Sequence, residues 1–234
     1  LIPCHRVLGR DGSLTGFGIG TGSITTPEIF LGDPFGASGS EGTFNINTSG
    51  TIATTNNFGV GFNSSTPSAV NLDAGTINVG LELQVGANTG GIGVFNQSGG
   101  SVATTGLAII GNATGSTGTY NLTGGSLSAG GELWVGQNGT ATFNQSAGTV
   151  SSANWFVIGR DNGGNGTYNL SGGTVNAATA GGQTVLSSFT GGTSTLNVSG
   201  GTFNATHDLW VGEGGNGTLN VSGTGIVTTG AFDY

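Results

Sequence analysis

The sequence predicts an all-β fold: a right-handed parallel β-solenoid of about eight rungs, each with roughly 25 residues and three short strands. The first observation is a repeat, in which an anchor glycine follows an aliphatic residue. The anchor recurs at steps of 29, 25, 25, 25, 23, 28 and 25 residues, at Gly32, Gly61, Gly86, Gly111, Gly136, Gly159, Ser187 and Gly212. The second observation is that the first and third residues before each anchor are apolar in nearly every rung, as in a strand with one buried face. The third is that Gly, Ser and Asn join the strand segments, which is the chemistry of turns.

Each rung contributes three strands in a fixed order. The first strand ends at the anchor and buries the residue just before it: Leu31, Val60, Val85, Ile110, Val135, Ile158, Leu186 and Val211. The same face carries, two residues earlier, Ile29, Phe58, Leu83, Ala108, Leu133, Phe156, Thr184 and Leu209. The second strand buries Phe44, Val70, Phe95, Tyr120, Phe143, Tyr168, Leu196 and Leu219, with a mostly apolar column two residues further on that includes Gln97 and Gln145. The third strand buries Ile52, Ile77, Val102, Leu127, Val150, Val175, Phe203 and Ile226.

An asparagine stands between the two inward columns of the second strand in all eight rungs. These residues are Asn45, Asn71, Asn96, Asn121, Asn144, Asn169, Asn197 and Asn220. Identical amides that stack along a parallel sheet can hydrogen-bond to one another. A ligand site would not need the same residue on every rung, so we expect a structural amide ladder.

A second outward column lies two residues before the anchor in each rung. It contains Phe30, Gly59, Gln84, Ile109, Trp134, Val157, Val185 and Trp210. Contiguous exposed apolar surface usually marks a contact with another molecule. We therefore expect Trp134, Trp210, Phe30, Ile109 and Val157 to form a binding ridge for another solenoid or for cell-surface polysaccharide. The alternative is that a flanking loop or a neighbouring solenoid covers the ridge.

Composition narrows the range of functions. The formal net charge is −8, and Arg6, Arg10 and Arg160 are the only basic residues besides two histidines, so the repeats are not expected to bind nucleic acid. No apolar run reaches the ~18–20 residues of a membrane-spanning helix. The acidic side chains Glu28, Glu82, Glu132 and Asp208 are expected to be solvated and too far apart to share a metal ion, and no cofactor is expected. We expect the chain to be a piece of a longer protein.

Residues 1–20 differ in composition from the rest of the chain. Ile2-Pro3-Cys4-His5-Arg6-Val7, Asp11-Gly12-Ser13-Leu14 and Gly16-Phe17-Gly18 resemble the active-site segment of the O6-alkylguanine-DNA alkyltransferases, or methylated-DNA–protein-cysteine methyltransferases. The resemblance implies that Cys4 accepts an alkyl group from DNA and that His5 helps to deprotonate it. Phe17 replaces a tyrosine of many members. The following Gly18-Ile19-Gly20 run does not suit the family's helix, so we expect an inactive remnant.

The remaining chain is divided into a linker at residues 21–27 and the repeats at residues 28–234. The repeated pattern GTxNxSGGTV resembles the autotransporter-associated β-strand repeats of secreted and surface-anchored bacterial proteins. The resemblance implies export and a scaffold or adhesin role, without catalytic residues. The first hypothesis is thus a structural or adhesive extracellular solenoid that has no catalytic activity of its own. The alternatives are a cytoplasmic self-alkylating DNA-repair methyltransferase, with DNA as its partner, and a polysaccharide-binding solenoid.

Overall fold

The computed structural model describes residues 23–32 and 40–230, which form twenty-three strands, numbered β1 to β23 along the chain, and no helix. These strands make two sheets. The eight-stranded sheet contains the first strand of every rung: β2 (Ile29–Gly32), β4 (Phe58–Phe62), β6 (Leu83–Val85), β9 (Ala108–Ile110), β12 (Leu133–Val135), β15 (Phe156–Ile158), β18 (Thr184–Leu186) and β21 (Leu209–Val211).

The fifteen-stranded sheet contains the second and third strands. Its second strands are β7 (Ile92–Gln97), β10 (Thr117–Leu122), β13 (Thr140–Gln145), β16 (Asn165–Leu170), β19 (Thr193–Val198) and β22 (Asn216–Val221). Its third strands are β8 (Ser101–Thr104), β11 (Ser126–Ala129), β14 (Thr149–Ser152), β17 (Thr174–Ala177), β20 (Thr202–Ala205) and β23 (Ile226–Thr229). In the first two rungs one long strand serves as both, namely β3 (Thr43–Thr54) and β5 (Ser68–Val79). The expectation of three separate strands therefore fails in those two rungs.

Successive rungs pair in parallel and in register, which confirms the β-solenoid. Tyr120 pairs with Phe143, and Phe143 pairs with Tyr168. The rings of Phe95, Tyr120, Phe143 and Tyr168 stack face to face, with centroids 4.6–4.7 Å apart. This distance is the spacing of neighbouring strands in a sheet. The inward columns of the six inner rungs are buried, so the core is a continuous stack along the rod.

Two assignments differ from the sequence prediction: the start of the solenoid and the inward residue of its last strand. Residues 24–26, expected to be part of a linker, form strand β1 (Ile24–Thr26), which pairs with Ile52–Thr54 of β3. The solenoid thus already includes this segment. In the last rung Val227, rather than Ile226, pairs with Phe203 and packs on the core, while Ile226 is 53% exposed. The turn before β23 is one residue longer than in the inner rungs, and one extra residue moves the alternation to the other face.

The anchor position requires a left-handed backbone. Gly136, for example, has φ of +84°, and every anchor glycine lies between +71° and +102°. Ser187 takes the same conformation, with φ of +62°, where the other rungs have glycine. Its buried hydroxyl donates a hydrogen bond to the carbonyl oxygen of Gly192 at 3.0 Å. Since glycine adopts positive φ without steric cost, the repeat of the anchor reflects backbone geometry.

Candidate functional site

The amide ladder forms as expected. From Asn71 to Asn220, Nδ2 of each ladder asparagine donates to Oδ1 of the asparagine in the preceding rung, at 2.7–2.9 Å. The seven bonds connect all eight rungs in one chain of amides. The hydrogen-bonded amide ladder that the sequence predicts for this column is therefore confirmed.

A polar groove runs along the first four ladder rungs. Its volume is about 410 Å³, and its lining residues are Asn45, Asn71, Asp73, Asn96, Gln97, Ser98, Asn121 and Thr123. The ladder asparagines form the floor. The wall consists of Asp73, Ser98 and Thr123, which follow the ladder residues by two positions, on the same face of the strand. We call this feature the ladder groove.

The outer column, two residues before each anchor, faces away from the central core but is not an open ridge. Ile109 is 2% exposed, and Val157 and Val185 are fully buried. The expectation that Ile109 and Val157 present an exposed surface is therefore wrong. The three side chains are outside the central core cluster, so the strand alternation was assigned correctly. Phe30, Trp134 and Trp210 remain partly exposed.

One large side chain of the outer column lies over the neighbouring rung. At Gly59, an added Cβ would come within 2.7 Å of the Phe30 ring and 3.3 Å of the Phe62 ring. The sequence pattern identifies the face on which a residue stands, but it does not show how far a ring extends along the rod. Trp134 pairs in register with both Ile109 and Val157, so it stands between these two smaller side chains.

The carboxylates next to the outer column take part in hydrogen bonds. Nε1 of Trp134 donates to Oε2 of Glu132 at 2.7 Å. In an earlier rung, Nε2 of Gln84 donates to Oε2 of Glu82, also at 2.7 Å. Both pairs stand two residues apart, on one face of a strand. The solvated carboxylates expected from the sequence therefore orient the polar edges of outer-column side chains at these two rungs.

Arg160 contacts Trp134, and it was not among the predicted site residues. It also contacts Phe189 and Asp161, which were not predicted either. The guanidinium carbon of Arg160 is 5.1 Å from the Trp134 ring centre and 5.3 Å from the Phe189 ring centre. Nη1 of Arg160 also lies 3.4 Å from Oδ1 of Asp161. Cation–π contacts of this kind stabilise by roughly 0.5–1 kcal/mol at exposed sites. The sequence did contain a signal for this cluster, because Arg160 is the sole Arg or Lys after position 10.

Trp155 is a half-buried aromatic residue that directly precedes β15. It takes the position that Glu132 has in the preceding rung. Its ring covers Gly182 of the next rung, where an added Cβ would come within 2.4 Å of Cδ1.

The structure does not describe the remaining candidates that the sequence predicts. Cys4 and His5 lie outside the described residues, as does the rest of the alkyltransferase-like segment at residues 1–20. Within residues 23–32 and 40–230, no group of three His, Cys, Asp or Glu side chains is arranged to hold a metal ion. The same part of the chain contains no helix of the length and apolarity that crossing a membrane requires.

Comparison of the chain with protein families, with curated proteins and with solved structures finds no match.

Proposed function

We propose that this chain is part of an extracellular structural or adhesive solenoid that makes contacts through the tryptophans of its outer column. The observation that carries the proposal is the placement of Trp134 and Trp210. Register links them through Val157 and Val185, so they stand on one line, three rungs or ~14 Å apart. Both indoles are partly exposed on a rigid scaffold.

Tryptophan suits this role on physical grounds. Covering its exposed apolar surface stabilises a complex by about 25 cal/mol per Å². An indole can also stack on the apolar face of a sugar ring or anchor a protein interface. The buried valines between the two rings keep the line rigid, so one flat partner can contact both. Such a partner is a second solenoid or a cell-surface polysaccharide.

The acidic character of the chain supports the choice of partner. With a formal net charge of −8 and Arg160 as the single Arg or Lys in the repeats, the surface repels strongly anionic polymers, which favours a polysaccharide of low charge. Export is supported by the resemblance of the GTxNxSGGTV pattern to the autotransporter-associated repeats.

The experiment replaces both indoles, in the variant Trp134→Ser/Trp210→Ser. Circular dichroism should show an intact β fold, because neither ring belongs to the central core. Sedimentation should show reduced self-association, or a glycan array should show reduced binding. The matched control is Leu81→Ser, which removes an apolar side chain that is 50% exposed at another position. An unchanged double variant, or equal loss in the control, would contradict the proposal.

The second candidate is the methyltransferase, which rests on the Pro3-Cys4-His5-Arg6 string alone. We expect an accessible Cys4 thiol without alkyltransferase activity, since base flipping needs a groove-binding element as well as a pocket. Incubation with DNA that contains O6-methylguanine, followed by mass spectrometry of the Cys4 peptide, tests this. Stoichiometric methylation of Cys4 would establish the enzyme instead.

A further inference from the structure

The amide ladder uses only half of its hydrogen-bonding capacity. A side-chain amide has two N–H donors and an oxygen with two lone pairs. In an inner rung such as Asn96, one N–H donates to Asn71 and one lone pair accepts from Asn121. One donor and one acceptor per rung are left for the solvent side. These free groups repeat at the rung spacing of ~4.8 Å.

A paired donor and acceptor selects the chemistry of the ligand. A phosphate or carboxylate group accepts hydrogen bonds only, and an ammonium group donates only. A sugar hydroxyl both donates and accepts, so it matches both free groups of a ladder amide. The rung spacing is also close to the length of one sugar unit in an extended polysaccharide, so successive sugars would meet equivalent amides.

The groups that flank the ladder are also uncharged over most of its length. On one side stand the hydroxyls of Ser98, Thr123, Ser146, Ser171, Ser199 and Ser222. On the other side, the four rungs of the groove carry the uncharged residues Thr43, Ala69, Val94 and Thr119, which pair in register, and the later rungs carry threonine. Asp73 is the charged exception in the groove wall, and its Oδ1 accepts from the Ser98 hydroxyl at 2.6 Å.

The dimensions favour a ligand over a second protein. The ladder groove spans four rungs, ~14 Å along the rod, and at six residues per strand it is ~20 Å wide, which gives an area of roughly 290 Å². A stable protein interface buries about 800 Å² per partner. The ladder groove, at about 410 Å³, falls in the range of small-molecule sites.

We propose that the ladder groove binds an extended neutral oligosaccharide or polysaccharide, aligned with the rod axis over the ladder asparagines. The free amide groups of Asn71, Asn96 and Asn121 hydrogen-bond to its hydroxyls, and Ser98 and Thr123 bound it on one side. This site is separate from the outer column, which belongs to the other sheet. Binding here therefore does not require the tryptophan contacts proposed above.

The test measures calorimetric binding of cellohexaose to the full 234-residue chain, with a heparin oligosaccharide as the anionic probe. Wild-type protein should bind cellohexaose and not heparin. Thr123→Arg, which places a long charged side chain over the groove, should weaken binding about tenfold. The matched control, Ser128→Arg, alters an exposed serine of β11 on the third-strand face and should bind as wild type does. Ser98→Arg is the second groove variant, in case Thr123→Arg does not fold.

Three outcomes would overturn the proposal. The first is that neither cellohexaose nor any neutral glycan on an array binds to the wild-type chain. The second is that the folded groove variants bind cellohexaose like Ser128→Arg. The third is loss of cellohexaose binding in Trp134→Ser/Trp210→Ser and not in the groove variants, which would assign the sugar to the outer column.

Discussion

The hydroxyl of Tyr168 donates a hydrogen bond to Oε1 of Gln145, 2.6 Å away, inside the core between two successive rungs. Nε2 of Gln145 in turn donates to the carbonyl oxygens of Gly148 and Thr174. Tyr120 and Gln97 form the same arrangement two rungs earlier, also at 2.6 Å. Each glutamine that interrupts the apolar column is thus matched by a tyrosine in the next rung.

We expect the Tyr168–Gln145 pair to be strongly coupled. Tyr168→Phe leaves a buried oxygen of Gln145 unpaired, and Gln145→Leu leaves a buried phenol unpaired, so each should lower the unfolding free energy by about 1–3 kcal/mol. The double variant recreates the Phe143 and Leu122 combination that the chain already has at the equivalent positions of rungs five and four. It should cost less than the sum of the single variants. Urea unfolding in a double-mutant cycle measures the coupling, and additive losses would contradict it.

The same tyrosines predict a loss of stability at high pH. Burial raises the pKa of Tyr120 and of Tyr168 well above 10.0, the usual value, and for Tyr168 the charge of Tyr120 adds to the effect. In the unfolded chain both phenols ionise near pH 10, whereas in the folded chain they keep their protons. The contribution of the two phenols to the unfolding free energy should therefore be constant below pH ~9, and the unfolding free energy should fall as the pH rises above ~10. Tyr120→Phe/Tyr168→Phe should have a shallower slope there, and equal slopes would refute the assignment.

Alanine substitutions at Gly136 and Gly163 should distinguish the cost of backbone strain from the cost of steric contact. Their φ angles are +84° and +83°, but an added Cβ at Gly136 lies 2.5 Å from the carbonyl oxygen of Asn165, whereas Gly163 has nothing within 4 Å. Gly163→Ala should therefore cost only the left-handed strain of about 1–2 kcal/mol. Gly136→Ala should cost at least ~2 kcal/mol more, because the backbone of the next rung must move. Thermal unfolding of the two variants provides the comparison, and equal losses would show that contact with the next rung is unimportant.

Two buried threonines should respond in opposite directions to replacement by valine. Oγ1 of Thr184 is buried without a hydrogen-bond partner, at a position where most other rungs have an apolar residue. Thr184→Val should raise the unfolding free energy by ~1 kcal/mol, since it removes an unsatisfied hydroxyl. Thr104 donates to the carbonyl oxygen of Gly106 at 2.9 Å, so Thr104→Val should lower it by a similar amount. A shift of both variants in the same direction would contradict this account.

The position of a rung along the rod should set the cost of a buried charge. Val135 is fully buried in the middle of the stack, whereas Val211 in β21 is 46% exposed. Val135→Asp should therefore cost more than ~4 kcal/mol, and Val211→Asp should cost far less, because its carboxylate can stay hydrated. Proteolysis and circular dichroism distinguish a broken rod from local fraying. Equal destabilisation would mean that the rungs do not act as nearest-neighbour units.

The elements that repeat in every rung were predictable from the sequence. The inward columns, the anchor and the asparagine column recur at a fixed period, and a parallel stack turns this period directly into contact. The features that occur once were not predictable in the same way. Val227 replaces Ile226 because of a single extra turn residue, and the burial of Val157 does not follow from its place on the outer face. Gln97 and Gln145 looked like exceptions because their tyrosine partners come from the next rung.

The direction of the ladder bonds gives the rod a polarity. In each pair the later asparagine donates and the earlier one accepts, so all eight side-chain dipoles point along the axis in the same sense. Turning over one amide, such as that of Asn121, would set oxygen against oxygen on one side and N–H against N–H on the other. The orientation of each amide is therefore tied to that of its neighbours in the row. Mutual polarisation in hydrogen-bonded chains strengthens each bond, so the ladder couples rungs that never touch.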